Sequence, residues 1–158
     1  MKLADIVTPK SLLPDLIAVD RDAAIEEIID ALIQAGAAPK NLRNELVTQI
    51  IERENHGSTG FGKGVAVPHV KHEKIKNMAA AIAVSHQGVE FGALDKAPVY
   101  AIILLLSPTT NPDAHLQAME NIFSHLQKDK FRRFLRQSTT ADQIADLIHE
   151  ADTQQLAN

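Results

Sequence analysis

The sequence predicts an α/β domain in which a mixed, partly parallel sheet carries helices on both faces, as a three-layer α/β/α sandwich. Stretches with helical apolar periodicity alternate along the chain with short apolar runs of strand length. The run at residues 99–106, VYAIILLL, is almost continuously apolar, which is typical of a strand covered on both faces. The 158 residues, of which 45% are hydrophobic, suffice for one core. We therefore expect a single domain over 1–158, with a tail that frays from about residue 152.

Two helices are predicted in the first third of the chain. Residues 21–35 carry apolar side chains at helical spacing after Asp20, with acids in the first turn and Gly36 just past the end. A second apolar stripe begins after Pro39, where Asn41 is the expected capping residue. Both stripes predict helices that cover the sheet.

A glycine loop and three strands are predicted next. Residues 57–64, GSTGFGKG, contain four glycines, which exclude a regular helix and leave backbone N–H groups accessible. Apolar segments at 65–67 and 79–84, with the longer run at 99–106, have the length and composition of strands. The loop therefore leads directly into a strand.

Three further helices are predicted at the C-terminal end. Asn111 and Pro112 resemble an N-cap and first helical position before a buried stripe. A shorter apolar pattern covers 131–135, and Thr140 with Gln143 three residues later forms a capping box before the last stripe.

Composition excludes several classes of function. The net charge of −4 and the scattered basic residues provide no footprint for nucleic acid. No apolar run approaches the roughly 20 residues of a membrane-spanning helix, and the N-terminus lacks the pattern of a secretory signal, so a cytoplasmic protein without membrane insertion is expected. Cysteine is absent, which excludes disulfides, thiolate metal sites and cysteine nucleophiles.

The segment with recognisable chemistry is the glycine loop, followed by a short strand that ends at Pro68 and His69. Successive N–H groups of such a loop can form a concave nest for phosphate oxygens, and Lys63 adds positive charge. A neutral imidazole is nucleophilic, and its ordinary pKa of about 6.5 leaves much of it neutral near pH 7. The combination favours a histidine that accepts and returns phosphoryl groups.

Nucleotide binding is the first competing interpretation, and the order of the elements disfavours it. A Walker A loop has Ser or Thr after Gly-Lys, whereas Gly64 follows Lys63 here. A dinucleotide fingerprint has a strand before its loop and a helix after it, the reverse of the predicted order. Nucleotides and other cofactors are therefore not expected.

Metal and hydrolase sites compete more weakly. A zinc site built from His69 and His72 with His56 or His86 fits no usual ligand spacing, so no metal is expected. A hydrolase with His69 as general base lacks a recognisable nucleophile nearby. No role is assigned to five of the histidines: His56, His72, His86, His125 and His149.

Two more residues are candidates for a shared anion site. His115 falls in the first turn of the helix that starts at Asn111, just after the long strand, and ligands collect beyond the carboxyl ends of strands. The helix N-terminus favours an anion there and helps keep the imidazole neutral. Arg53, near the end of the second helix, can add a bidentate phosphate contact, although its Glu-Arg-Glu run is also typical of a solvated helix face.

These residues together resemble a known family. Arg53-Glu54, the loop at 58–64 and the sequence Val65-Ala66-Val67-Pro68-His69 are similar to the active-site signature of the fructose, mannitol and nitrogen-regulatory IIA proteins of the phosphoenolpyruvate-dependent phosphotransferase system. The later helix histidine of that signature matches His115, and the resemblance covers nearly the whole chain. It implies a mixed sheet flanked by helices on both sides.

The resemblance also implies the roles of the residues. His69 is then the phosphorylated residue of a phosphotransferase component, His115 orients the phosphoryl group, and Arg53 supplies charge. The donor is a small histidine phosphocarrier protein. The implied phosphate-binding loop consists of Ser58, Thr59, Gly60, Gly62 and Gly64. Two departures stand out, because Val70 replaces a small residue after the histidine and Phe61 replaces an aliphatic one in the loop.

Three functions remain open at this stage. A phosphoryl carrier of the nitrogen-regulatory type is expected, since no permease segment is recognisable. A fructose- or mannitol-specific IIA component that passes phosphate to a permease IIB domain is the first alternative. A IIA-like regulatory module that binds target proteins without transferring phosphate is the second.

Overall fold

The computed structural model describes residues 1–154, and its sheet is organised around the long strand β5, Val99–Pro108. On one edge β5 pairs antiparallel with β4, Ala79–Val89. On the other edge two short strands, β2 at Val65–Ala66 and β3 at His69–His72, both pair with it in parallel. The outermost strand, β1 at Leu12–Leu13, runs parallel to β4. The sheet is therefore mixed and partly parallel, as predicted.

Helices cover both faces of this sheet. One face carries α1, Arg21–Gln34, and α2, Arg43–Asn55. The opposite face carries α3 at Pro112–Leu126, α4 at Asp129–Gln137 and α5 at Ala141–Asp152. Each layer of helices has its own apolar core against the sheet, and the predicted three-layer α/β/α architecture is confirmed.

Alternation along β5 separates the two cores. Ile102 and Leu104 belong to the core with α1 and α2, whereas Ile103 and Leu105 belong to the core with α3, α4 and α5. Successive side chains of a strand point to opposite faces, so a continuous apolar run serves both layers at once. This is the physical reason for the unbroken run of apolar residues.

The predicted helix starts are confirmed where a side chain caps the helix. The carboxylate of Asp20 accepts a hydrogen bond from the Ala23 N–H, and the side chain of Asn111 accepts one from the Ala114 N–H. The expected cap at Asn41 is wrong. Asn41 lies inside a 3-10 turn at Lys40–Leu42, which leads straight into α2 without a side-chain cap.

Two of the five strands were outside the prediction. Leu12–Leu13 is too short for any periodicity to register, and His69–His72 reads HVKH, which is polar at three of four positions. The predicted strand at 79–84 continues to Val89 past an irregularity in its pairing with β5. Short edge strands depend on the partner that they find, which local sequence does not reveal.

The C-terminal helix is anchored at both ends. The Thr140 hydroxyl accepts from the Gln143 N–H, and the Gln143 side chain accepts from the Thr139 N–H. The Asp152 carboxylate, at the end of α5, accepts from the N–H groups of Leu3 and Ala4. The rest of the expected tail, 155–158, lies outside the described residues.

Within the part of the chain that the structure describes, no helix combines the length and apolar character needed to cross a membrane.

A buried histidine lies at the end of α3. The His125 ring stacks on Phe131 with 5.6 Å between ring centroids, and neither ring nitrogen has a hydrogen-bond partner among residues 1–154. Burial lowers the pKa of His125, and the charge of Lys128 lowers it further, while Asp152 opposes both effects. The ring is therefore held neutral in the folded protein.

We expect the free energy of unfolding to fall as the pH drops below about 6.5, because the unfolded chain binds a proton at His125 more readily than the folded one. His125→Leu should weaken this dependence and stabilise the protein at neutral pH by about 1 kcal/mol, since no unpartnered nitrogen stays buried. Urea denaturation of parent and variant at about pH 7.5 and 5.5 measures both effects. His149→Leu, on the exposed side of α5, is the control. An unchanged loss between the two pH values in His125→Leu contradicts the assignment.

Candidate active site

Two histidines meet at the carboxyl end of β5. His69, the first residue of β3, pairs with Leu105, and it shares the face of the sheet on which α3 packs. β5 then ends, and α3 begins with His115 in its first turn. The two ring centroids lie 5.6 Å apart with a tilt of 51° between the rings. The pair that the sequence predicted is brought together by the tertiary structure.

A local hydrogen bond fixes the tautomer of His69. Its Nδ1 lies 2.8 Å from the carbonyl oxygen of Val67, which can only accept. Nδ1 therefore carries the proton, and Nε2 is the nitrogen with the free lone pair. The Leu105 N–H donates to the Pro68 carbonyl, so the residue between Val67 and His69 is also held by the sheet.

The orientation and charge state of His115 are also set. The ring is buried, and its Nδ1 lies 2.7 Å from the hydroxyl of Ser107, itself buried at the end of β5. Burial lowers the pKa of His115, and the nearby charges of His69 and Lys71 lower it further. A neutral imidazole at this position can donate or accept a hydrogen bond without repelling a protonated neighbour.

Arg53 lies near the end of α2 and is hydrogen-bonded to the turn that follows this helix. It is an exposed residue in the last turn of α2, and its guanidinium donates to the Gly57 carbonyl at 2.7 Å. This bond ties Arg53 to the turn after α2 rather than to either histidine. The cation is therefore close to the loop that precedes His69 in the chain, with an exposed side chain that is able to move.

The second half of the glycine loop lies at the other end of the strand. Gly62, Lys63 and Gly64 all have positive φ angles, of 114°, 62° and 76°. The Gly64 carbonyl accepts from the Tyr100 N–H at the start of β5. His69 pairs with Leu105, which follows Tyr100 by five residues of β5, so roughly 16 Å of strand separate Gly64 from His69. The structure does not bring Gly62, Lys63 or Gly64 to the histidines.

The first half of the glycine loop, residues 58–60, is held by hydrogen bonds within the protein. The Thr59 N–H donates to the Glu54 carboxylate, and the Gly60 N–H donates to the Ser58 hydroxyl. A Cβ on Gly60 would lie 2.9 Å from the Ala93 Cβ, so glycine is required there for close packing. The N–H groups of Thr59 and Gly60 are therefore engaged within the protein and are not free donors for an anion.

Sequence reasoning missed Glu54, which connects this loop to His69. The carboxylate is 4% exposed and accepts from the Thr59 N–H at 3.0 Å. The Thr59 carbonyl accepts from the Val67 N–H at 3.4 Å, and the Val67 carbonyl accepts from His69 Nδ1–H. A chain of three hydrogen bonds therefore runs from a buried carboxylate to the imidazole.

The helical spacing of α2 indicates that Glu54 is buried. It lies four residues after Ile50 and seven after Val47, both buried, so it shares the apolar side of α2. The charged run suggested a solvated face, and that interpretation holds for the exposed Glu52 and Arg53 but not for Glu54. Burial of a carboxylate on such a side requires a hydrogen-bond donor, which the loop provides.

The two departures from the family signature lie on opposite faces of the sheet. Val70 follows His69 in the strand and packs into the core with α1 and α2, on the opposite face of the sheet. Phe61 packs instead into the core with α3, where its ring lies 5.2 Å from that of Phe123. Val70 therefore does not crowd the histidine pair.

Among the described residues, no group of three or more His, Asp or Glu side chains converges in a way that could hold a metal ion. His69 and His72 lie on opposite faces of β3 because they are three positions apart in a strand. His72 is buried towards α2, and its Nε2 lies 3.3 Å from Glu45. The two histidines considered for zinc are not brought together.

Comparison with known proteins identifies the family. Residues 5–151 match the family model described as phosphoenolpyruvate-dependent sugar phosphotransferase system, EIIA 2. The chain belongs to this EIIA family. Its members are phosphotransferase components, in agreement with the resemblance carried by the histidine signature.

Relatives of this EIIA chain have two kinds of name. The nitrogen regulatory protein of Bradyrhizobium diazoefficiens is 30% identical over 150 residues, covering 94% of this chain and 95% of the relative. The fructose-specific EIIA component of Haloferax volcanii is 27% identical, covering 95% and 98%. The fructose-specific EIIABC component of Bacillus subtilis is 28% identical over 96% of this chain, which spans 24% of that relative.

Solved structures share the fold. The nitrogen regulatory protein IIA-Ntr of Neisseria meningitidis superposes with a TM-score of 0.83 at 24% identity, covering 92% of this chain and 98% of that one. The mannitol IIA of Escherichia coli gives 0.74 at 19% identity, covering 89% and 97%. Both confirm the mixed sheet with helices on either side.

We expect Glu54→Ala to destabilise the EIIA chain by about 2 kcal/mol, because the buried Thr59 N–H loses its acceptor. Glu54→Gln keeps an acceptor oxygen and should cost much less. Urea denaturation compares both with Glu52→Ala, the exposed neighbour on the same helix. Equal losses for the Ala and Gln variants would argue against the hydrogen bond as the cause.

We expect the His115 ring to titrate below the ordinary histidine value of about 6.5. His69→Gln should raise the pKa of His115, since it removes a neighbouring positive charge but leaves His115 buried. Titration of the ring Cε1–H signals by NMR gives both values. A His115 signal that titrates at or above the ordinary value in the parent contradicts the expectation.

Proposed function

We propose that this EIIA chain is a phosphoryl carrier that accepts phosphate on His69. The observation that carries the proposal is the bond from His69 Nδ1–H to the Val67 carbonyl, which leaves Nε2 as the nucleophile. In the transfer, the Nε2 lone pair forms a bond to phosphorus as the bond from phosphorus to the donor nitrogen breaks. The electron pair of the broken bond stays on the donor nitrogen, and the donor leaves as a neutral imidazole with a proton on its other nitrogen, so no water or nucleotide takes part.

His115 and Arg53 are proposed to stabilise the phosphoryl oxygens. The neutral His115 ring, 5.6 Å from His69 between centroids, is placed to hydrogen-bond an oxygen of the transferring group. Arg53 is exposed, so its guanidinium can turn from the Gly57 carbonyl to the incoming anion and bind it through two N–H groups. The loop at Ser58, Thr59 and Gly60 then acts by holding Val67 rather than by binding phosphate.

The donor is proposed to be a small histidine phosphocarrier protein. Leu116, next to His115 in α3, is 59% exposed and offers an apolar contact beside the site. Docking on apolar side chains around the histidine excludes water from the transferring group. Transfer between two imidazoles then requires little more than alignment of the nitrogen atoms.

Of the two types within the family, we propose the nitrogen-regulatory one. Support comes from relatives named nitrogen regulatory protein that are 29% and 30% identical and are themselves covered to 95%. A fructose-specific carrier that passes phosphate to a IIB domain is the second candidate, favoured by the Haloferax volcanii relative, which is covered to 98%. Regulated target proteins are the partners in the first case.

We expect the parent to gain one acid-labile phosphoryl group on the His69 peptide when incubated with phosphoenolpyruvate and the two general phosphotransferase proteins. His69→Ala should gain none, and His115→Ala should be labelled at least about tenfold more slowly, because it loses an oriented hydrogen bond. Intact mass and peptide mapping follow the reaction. His149→Ala, an exposed histidine on α5, is the control and should be labelled like the parent.

Labelling of His69→Ala at the parent's rate would contradict the proposal. A folded parent that no cognate donor labels would instead support the IIA-like binding module without transfer. The two types separate in the next step. Release of the phosphoryl group to a fructose-type IIB domain indicates sugar transport, whereas target proteins that distinguish phosphorylated from unmodified chain indicate regulation.

A further inference from the structure

A second polar cleft lies at the other end of the sheet from the histidines. It has a volume of about 580 Å³ and opens between α4 and the start of β5, with the turn at Lys63 and Gly64 along one side. Gly64 bonds Tyr100, whereas His69 pairs with Leu105, so the cleft and the candidate active site occupy opposite ends of the same strand edge.

The charge of this cleft contrasts with that of the chain. Its lining includes four cations and one carboxylate, which leaves a net charge of +3, whereas the whole chain has −4. The carboxylate, Asp129, is already paired with Arg132, which also donates to the Leu126 carbonyl. Among residues 1–154, Lys63, Arg133 and Arg136 form no ion pair with a carboxylate.

Gathering unpaired cations is unfavourable unless an anion joins them. Like charges in one cleft repel each other, and the lining offers no second carboxylate that would offset this repulsion. Lys63 reaches the cleft from a turn with φ of 62°, a conformation that L residues adopt at some cost. The arrangement therefore matches a negatively charged ligand that comes from outside the described residues.

A bulge in β5 turns Tyr100 towards this cleft. The Gly64 carbonyl accepts from the N–H groups of both Tyr100 and Ala101, so two residues of β5 oppose one residue of the neighbouring segment. Val99 and Ile102 both belong to the core with α1 and α2. The two residues between them consequently face α4, which normal alternation would not allow.

Tyr100 in turn fixes the orientation of Arg136. The Arg136 guanidinium carbon lies 3.4 Å from the centre of the Tyr100 ring, a stacking distance. The ring is itself confined, because a Cβ on Gly64 or Gly88 would come within 3.3 Å or 3.1 Å of it. A stacked guanidinium keeps its N–H groups in the plane parallel to the ring, where they can bind an anion at their edge.

We propose that this cleft binds the phosphate monoester of a small phosphorylated molecule. Two exposed cations, Lys63 and Arg133, line the same cleft as the preoriented Arg136, and guanidinium groups bind phosphate through paired hydrogen bonds. The volume lies within the usual range of roughly 300–1,000 Å³ for small-molecule sites. The net charge of +3 exceeds the −2 of a phosphate dianion, so the dianion is attracted, and the polar body of the ligand extends into the open cleft.

This site is independent of phosphoryl carriage on His69. Titration of the ¹⁵N-labelled chain with ribose 5-phosphate, at an ionic strength near 150 mM, should give saturable shifts at the amides of Lys63, Tyr100 and Arg136. The same shifts should persist in His69→Ala, which separates this cleft from the candidate active site. Inorganic phosphate should shift the same amides more weakly, and ribose should not shift them.

Variants test the cations one at a time. Arg136→Gln should weaken binding of ribose 5-phosphate at least about tenfold, and Lys63→Gln about threefold or more, because each loses a charge-assisted hydrogen bond. Lys96→Gln is the matched control, since Lys96 is also exposed and also has a φ of 62°. It should bind like the parent.

Several outcomes overturn the proposal. If the amide shifts caused by ribose 5-phosphate do not saturate, or occur only at His69 and His115, the cleft does not bind phosphate monoesters. An equal loss in Lys96→Gln and Lys63→Gln shows unspecific attraction of anions. Saturable shifts with an acidic peptide but none with ribose 5-phosphate indicate a protein partner instead. If Arg136→Gln does not fold, the amides that shift in the parent chain decide whether the cleft binds ribose 5-phosphate.

Discussion

Pairing of β5 on both of its edges is the constraint on which the rest of the structure depends. The strand is fully buried at Ile103, Leu104, Leu105 and Leu106, so every backbone N–H and C=O there needs a partner within the sheet. β4 provides partners on one edge, and the short strands β2 and β3 provide them on the other. The parallel pairing of His69 with Leu105 follows, and so does the position of α3 just beyond.

His69 is supported by one hydrogen bond to a residue close in the sequence and by further bonds between segments that the fold brings together. The bond to Val67 spans two residues and selects the tautomer, so it is available to any chain that adopts this local turn. The bonds through Thr59 to Glu54 join segments that only the fold brings together. The proposed phosphoryl carriage requires the imidazole to present the same nitrogen each time, and support of both kinds favours this.

The two ends of one strand edge carry different groups of side chains. At the carboxyl end, alternation places His69 and Ser107 on the same face, where His115 completes the group. At the amino end, a bulge interrupts the alternation and aims Tyr100 at α4, where Arg136 stacks on it. The glycine-rich loop links both ends. Its first half holds the histidine segment, and its second half forms a wall of the basic cleft.

The sequence by itself determined the layered architecture, the capped helices and the candidates His69 and His115, because apolar periodicity, caps and a loop-strand-histidine signature are local patterns. Tertiary structure decided which loop residues meet the histidines. Gly62, Lys63 and Gly64 precede His69 by a few residues, yet extended chain carries them to the far end of β5. Glu54 is buried by packing that its charged neighbours conceal. Residues that are close in the sequence can lie far apart along an extended strand. Packing and pairing between segments distant in the sequence decide which side chains meet.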